Sequence, residues 1–163
     1  MCDEYFMGEA LREAEAGLRA GDLPIGTVVV RGGAVAARAR WSWEGEHDLL
    51  AHPEIVAIRR ADARGATLFT TLEPCVMCIG AAMSGFLDRV VYALESPTDG
   101  GGGLPALYRD RLPVSGKPWS IPEVVAGVRR TESLELIERF LCQGRPGPMR
   151  DWARSLVDRS HAS

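Results

Sequence analysis

The sequence predicts an α/β protein, a three-layer α-β-α sandwich with helices on both faces of a mixed five-stranded sheet. Three observations predict it. Segments of helical period alternate with β-branched runs along the chain. The pair Gly32-Gly33 joins two of those runs at two-residue hairpin spacing, so the first two strands are antiparallel. The later runs are separated by helical segments, which favours parallel pairing. The chain has 163 residues, 46% of them hydrophobic and 25% charged, which fits one globular domain over 1–163 and excludes a disordered or fibrous chain.

Each element follows in order. Phe6, Met7, Ala10, Leu11, Ala14 and Leu18 recur at helical spacing, and Gly21 is the stop of a first amphipathic helix. Ile25 to Arg31 is a strand built on Thr27-Val28-Val29-Val30, and Ala34 to Arg40 returns beside it. Trp41 to Ala51 reads as an irregular loop. Pro53 to Arg64 reads as a second helix ended by Gly65, and Ala66 to Thr71 as a strand. Cys75 to Ser84 is a third helix, and Arg89 to Leu94 a strand. Glu95 to Pro105, with glycine at 100–103, reads as a flexible loop, and a surface linker is favoured over a lid. Glu123 to Arg129 is the last strand. A C-terminal helical segment runs over about 131–160: Leu134, Ile137, Phe140 and Leu141 mark one helix, the run Gly144 to Pro148 breaks it, and a tail helix follows around Trp152 and Leu156.

Charge and composition narrow the function. Nineteen basic residues against 22 acidic give a net charge of −3, so no bulk attraction to nucleic acid is expected. No apolar run is long enough to cross a membrane, and the N-terminus lacks the pattern of a signal peptide. A cytoplasmic location is expected, where cysteines serve metals or catalysis more often than disulfides. Cys2 and Cys142 have no partner at metal spacing, and His47 and His161 are expected to face solvent.

The chemistry is expected at His52, Glu54, Cys75 and Cys78. Cys75 and Cys78, three residues apart at a helix start, project their sulfurs from one face. The helix N-terminus favours their thiolates. Read alone, the pair is half of a zinc site, two small buried residues, or a redox Cys-x-x-Cys. His52 is held at the mouth of the second helix by Pro53, with Glu54 in the first turn. Together they offer three metal ligands and one spare carboxylate, the pattern of a site that keeps a position for water.

His52-Pro53-Glu54, followed by Leu72-Glu73-Pro74-Cys75 with Cys78, resembles the signature of zinc deaminases. With Leu23-Pro24-Ile25-Gly26 and Arg89-Val90-Val91-Tyr92, the chain resembles the cytidine deaminase superfamily. It is most similar to the branch of bacterial tRNA adenosine deaminases and guanine deaminases. The resemblance runs from about Gly21 to Leu94, with a weaker echo to about Cys142. It implies a cytidine-deaminase-like fold, a homodimer, and one Zn²⁺ per chain on His52, Cys75 and Cys78. It also implies hydrolytic removal of an amino group from a ring carbon, with Glu54 carrying a proton from the attacking water to a ring nitrogen and then to the leaving ammonia.

The departures from the family bear on substrate. The usual His-Ala-Glu is His52-Pro53-Glu54 here, which leaves the geometry intact. The substrate-holding Asn usually found about eleven residues upstream is replaced by Trp41, which can stack on a heterocycle but cannot copy an amide. Val28, Ala51 and Trp152 are further candidates for substrate contact. Guanine deaminases use an Asp after a Gly-rich loop where this chain has Leu104-Pro105-Ala106. Asp99 or Asp110 fits that role only with a shift. Ser96 stands where tRNA enzymes carry an Asp. Residues 129–163 hold seven Arg and no Lys against five acids, a weak net of +2. The expected function is therefore zinc-dependent deamination of a free nucleobase or similar ring of cytosine, guanine or triazine type, with a small heterocyclic base as partner. A tRNA adenosine-to-inosine deaminase is the alternative and is disfavoured on charge. A non-catalytic zinc-stabilised binding module is the alternative of another class.

Overall fold

The computed structural model describes residues 2–42, 48–111, 119–143 and 147–161, side chains at 110 and 111 excepted. Its elements are α1 (Asp3–Ala20), β1 (Gly26–Arg31), β2 (Ala34–Arg40), α2 (Pro53–Arg60), β3 (Thr67–Leu72), α3 (Val76–Ser84), β4 (Arg89–Leu94), α4 (Leu104–Arg111), β5 (Glu123–Val125), α5 (Arg130–Cys142) and α6 (Pro148–His161). The five strands form one sheet in the order β2-β1-β3-β4-β5. β1 pairs antiparallel with both β2 and β3, whereas β3–β4 and β4–β5 are parallel, so the sheet is mixed as expected.

The alternation of side chains along the central strands divides the core into two layers. Val28, Val30, Phe69, Val91 and Ala93 face α1, α5 and α6, packing with Phe6, Met7, Ile137, Phe140 and Leu156. Val29, Leu68 and Val90 face the other way, against Ala57 of α2 and Ile79, Ala82 and Met83 of α3. Burying one such side chain contributes about 1.5–3 kcal/mol, so two continuous layers suffice to hold the sheet between the helices. The hairpin turn has the backbone it requires, with φ of 58° at Gly32 and 81° at Gly33.

Four expectations are corrected. The stretch read as a loop through Pro105 ends in a helix, α4, which begins at Leu104. The glycine run hid its start, and Pro105 is compatible with a first turn. α4 lies within the crossover that parallel pairing of β4 and β5 needs. α2 ends at Arg60 rather than Arg64, because Ala61 turns extended (φ −99°, ψ 157°). β5 stops at Val125 rather than Arg129: Gly127 (φ 80°) and Arg129 (φ 58°) turn the chain into α5. β3 runs one residue later at each end, Thr67–Leu72. His47 and the break at Gly144-Arg145-Pro146 lie outside the described residues. His161 is exposed and paired with Glu138, and Cys2 and Cys142 are exposed free thiols. No described helix is long and apolar enough to cross a membrane.

Candidate active site

Two helix N-termini meet beyond the C-terminal end of β3. His52 is the N-cap of α2, held extended (φ −58°, ψ 143°) by Pro53 at the first helical position. Cys75 is the N-cap of α3 rather than its first residue, and Cys78 lies one turn further on. The sulfurs of Cys75 and Cys78 are 3.5 Å apart, and Nδ1 of His52 lies 3.6 Å from the first and 3.5 Å from the second. Among the described residues this is the group of donors gathered closely enough to hold a metal ion.

The triangle fits a tetrahedral metal. Bonds of about 2.3 Å to sulfur and about 2.0–2.1 Å to nitrogen put neighbouring ligand atoms roughly 3.5–3.8 Å apart. The charges fit as well. The close contact with the Cys78 sulfur pulls the Cys75 pKa down to about 4, helped by His52. The Cys78 thiol is pushed up by that same contact and by burial. His52 is raised mainly by its contact with Cys75. Two thiols this close share one proton, and a divalent cation between them would allow both to ionise.

Glu54 stands apart from this donor set. The residue is 4% exposed, and burial raises its pKa above the ordinary 4.5, against the hydrogen bond from Thr70. Oε1 accepts from Thr70 Oγ1 at 2.7 Å, and Oε2 lies 3.4 Å from Cys78 Sγ. A carboxylate so placed is suited to accept a proton and give it up again.

A pocket of about 230 Å³ opens over these groups, with His52, Glu54 and Cys75 in its wall. Leu23, Ile25, Trp41, Met149 and Trp152 supply most of its apolar lining, and Asp99 a carboxylate. Trp41 and Trp152 therefore line the pocket. Val28 is not: it is fully buried in the core layer under α1. Ala51 is half-buried beside His52 and is absent from the lining. The expectation for these two is corrected, since neither the inward phase of β1 nor the position before His52 presents its side chain to the pocket.

Further residues shape the site. Met149 comes from α6 with Trp152, so the tail helix forms one wall. The carboxylate of Glu73 accepts the N–H groups of Ser96 and Gly102, each at 2.9 Å. It thereby ties the glycine run to the start of α3, where Gly100 also bridges to Cys75. A Cβ at Gly100 would lie 2.3 Å from a Glu73 oxygen, so a side chain there would break this approach. Ser96, which stands where tRNA enzymes carry an Asp, donates its hydroxyl to Asp99. Asp99 thus reaches the pocket, and the side chain of Asp110 is outside the described residues. The sequence shows Glu73 within a motif but gives no sign of its distant partners. We expect Glu73→Gln, which can accept only one of the two N–H bonds, to lower stability by about 1–3 kcal/mol in urea unfolding and to raise KM.

Comparison with known proteins points to deaminases. The family model of MafB19-like deaminases matches residues 1–115. The tRNA-specific adenosine deaminase of Bacillus subtilis is 35% identical over 147 residues, covering 85% of this chain and 88% of the relative. A solved structure from work on A-to-I editing by tRNA:A34 deaminases at the wobble position of transfer RNA superposes with a TM-score of 0.67 at 32% identity, covering 81% of this chain and 98% of that one. The guanine deaminase of Bacillus subtilis matches with a TM-score of 0.54 at 35% identity, over 58% of this chain and 66% of that one.

Proposed function

The chain belongs to the MafB19-like deaminases, and from that premise we propose that it is a zinc-dependent aminohydrolase acting on a free nucleobase or base-like amino-heterocycle. One observation carries the reading: a buried carboxylate, Glu54, beside a donor triangle of three protein atoms among the described residues, with a pocket over them. His52, Cys75 and Cys78 would hold a zinc ion, which would supply Lewis-acid activation of water when bound. Glu54 takes one proton from the attacking water and gives it to a ring nitrogen; it then takes the second proton from the hydroxyl now on the ring carbon and gives it to the departing amino group, so that the carbonyl forms as the C–N bond breaks and ammonia leaves. Trp41 and Trp152 stack on or flank the ring, and the apolar walls exclude bulk water. Assembly as a homodimer belongs to the same reading, with the exposed Leu49, Leu50 and Val76 available to such a contact.

Substrate size separates two readings. The walls supplied by Trp41 and by Met149 and Trp152 of α6 favour a small ring held on its faces. The net charge of −3 adds no general attraction to phosphate. The named relatives favour the second reading, adenosine in tRNA. A base swung out of an anticodon loop could enter the same pocket, with the stem held by phosphate contacts. The test is ammonia release from free bases, nucleosides and a tRNA anticodon stem, at low and moderate salt. We expect turnover of at least one free base, with kcat/KM nearly unchanged by salt, and Trp41→Ala weakening binding more than Trp41→Phe. Conversion of adenosine in tRNA with no activity on any free base, and with affinity falling steeply as salt rises, would overturn the first reading and establish the second.

A further inference from the structure

We propose that Thr70, seated by Thr27, is a positioning residue for Glu54: its hydroxyl engages Oε1 so that Oε2 is the oxygen offered to the reaction. The inference rests on the reading of Glu54 as the proton carrier. Thr27 on β1 and Thr70 on β3 are register partners in the sheet. Both are completely buried. Thr27 Oγ1 donates to Thr70 Oγ1 at 3.0 Å, and Thr70 Oγ1 donates to Glu54 Oε1 at 2.7 Å. A hydroxyl carries a single proton, so the direction of this chain is set at both links.

The location makes the pair unusual. On the same face of these two strands the neighbouring positions are Val29 and Leu68, which pack against α2 and α3. Valine would fill either threonine site at nearly the same volume, and a buried hydroxyl is costly unless it is bonded. Here the bonding ends on one atom of one carboxylate. With Oε1 engaged, the carboxylate plane is fixed and Oε2 is left on the side of Cys78, 3.4 Å from its sulfur. The proton taken from water then resides on Oε2 and passes from there to the ring nitrogen; a second proton, from the hydroxyl on the ring carbon, takes the same route to the leaving amine. Thr70 keeps its own proton throughout. Thr27 does not touch the carboxylate and acts by turning the Thr70 hydroxyl toward it.

The test compares Thr70→Val, Thr70→Ser and Thr27→Val with Glu54→Gln, using the compound turned over in the panel above. Thr70→Val is expected to retain zinc and KM while kcat falls about 10- to 100-fold, the scale set by misplacing a reacting group by about 1 Å. Thr70→Ser restores most of kcat, and Thr27→Val lowers kcat less than Thr70→Val does. A second readout needs no substrate. The infrared carboxylate band assigned to Glu54 by subtracting the Glu54→Gln spectrum shifts in Thr70→Val and stays in place in Thr70→Ser. A zinc-loaded Thr70→Val with wild-type kcat, an unmoved carboxylate band, or equal damage by Ser and Val would overturn the proposal. Wild-type turnover by Glu54→Gln would instead overturn the reading on which it rests.

Discussion

Replacing Cys75 with Ala is expected to strip the metal from the protein and, with it, much of the soluble fold. Cys75 is one corner of the donor triangle and also the N-cap of α3, so the change removes a ligand at the junction of β3, α3 and the glycine run. Two remaining ligands cannot close a tetrahedral site, and metal binding to preformed ligands contributes directly to folding free energy. Wild-type protein is expected to carry about one zinc per chain by elemental analysis, and Cys75→Ala essentially none. His52→Ala should behave similarly, because Nδ1 of His52 touches both sulfurs. Full zinc occupancy in Cys75→Ala would sink the ligand assignment.

Glu54→Gln separates chemistry from assembly. The glutamine keeps the shape of the side chain and can still accept from Thr70, while losing the ability to carry a proton. Folding and zinc content should be unchanged, and deamination should fall by at least ~10²-fold, the lower end of what a positioned acid–base group contributes. Burial raises the Glu54 pKa, which brings the group nearer to the neutral pH at which it must both take and give a proton. The neutral amide also removes a desolvated charge, so the variant is expected to melt no lower than wild type. Activity within a few-fold of wild type would mean that another group moves the proton.

The gathering of His52, Cys75 and Cys78 was legible in the sequence because its signals are local. Pro53 fixes His52 at a helix mouth, Pro74 precedes Cys75, and i, i+3 spacing puts Cys78 on the same face; each is a statement about one turn of chain. The central strands were legible for the same reason, from their β-branched runs. What escaped depended on pairing across the sheet or on the path of the tail. Thr27 and Thr70 meet only because the register of β1 against β3 puts them opposite, across 43 residues of sequence. Glu73 acts on backbone groups 23 and 29 residues away, which no spacing rule reveals. Met149 enters the pocket through the placement of α6, whereas Trp152, an aromatic side chain in the same helix, could be singled out from the sequence. Val28 illustrates the opposite error: named as a candidate substrate contact, it is turned by strand alternation into the core layer under α1.

The central claim, that this site is a metal-dependent hydrolytic deaminase centre, is tested most directly by following ammonia release through one cycle of metal removal and return. A compound from the substrate panel is incubated with the protein as purified, after dialysis against a chelator, and after zinc is added back. Ammonia formed in step with the corresponding oxo product, abolished by chelation and recovered with zinc at about one equivalent per chain, is the expected result. Zinc bound at full occupancy with no ammonia from any free base, nucleoside or tRNA stem would contradict it, and would leave the site as a zinc-stabilised binding module.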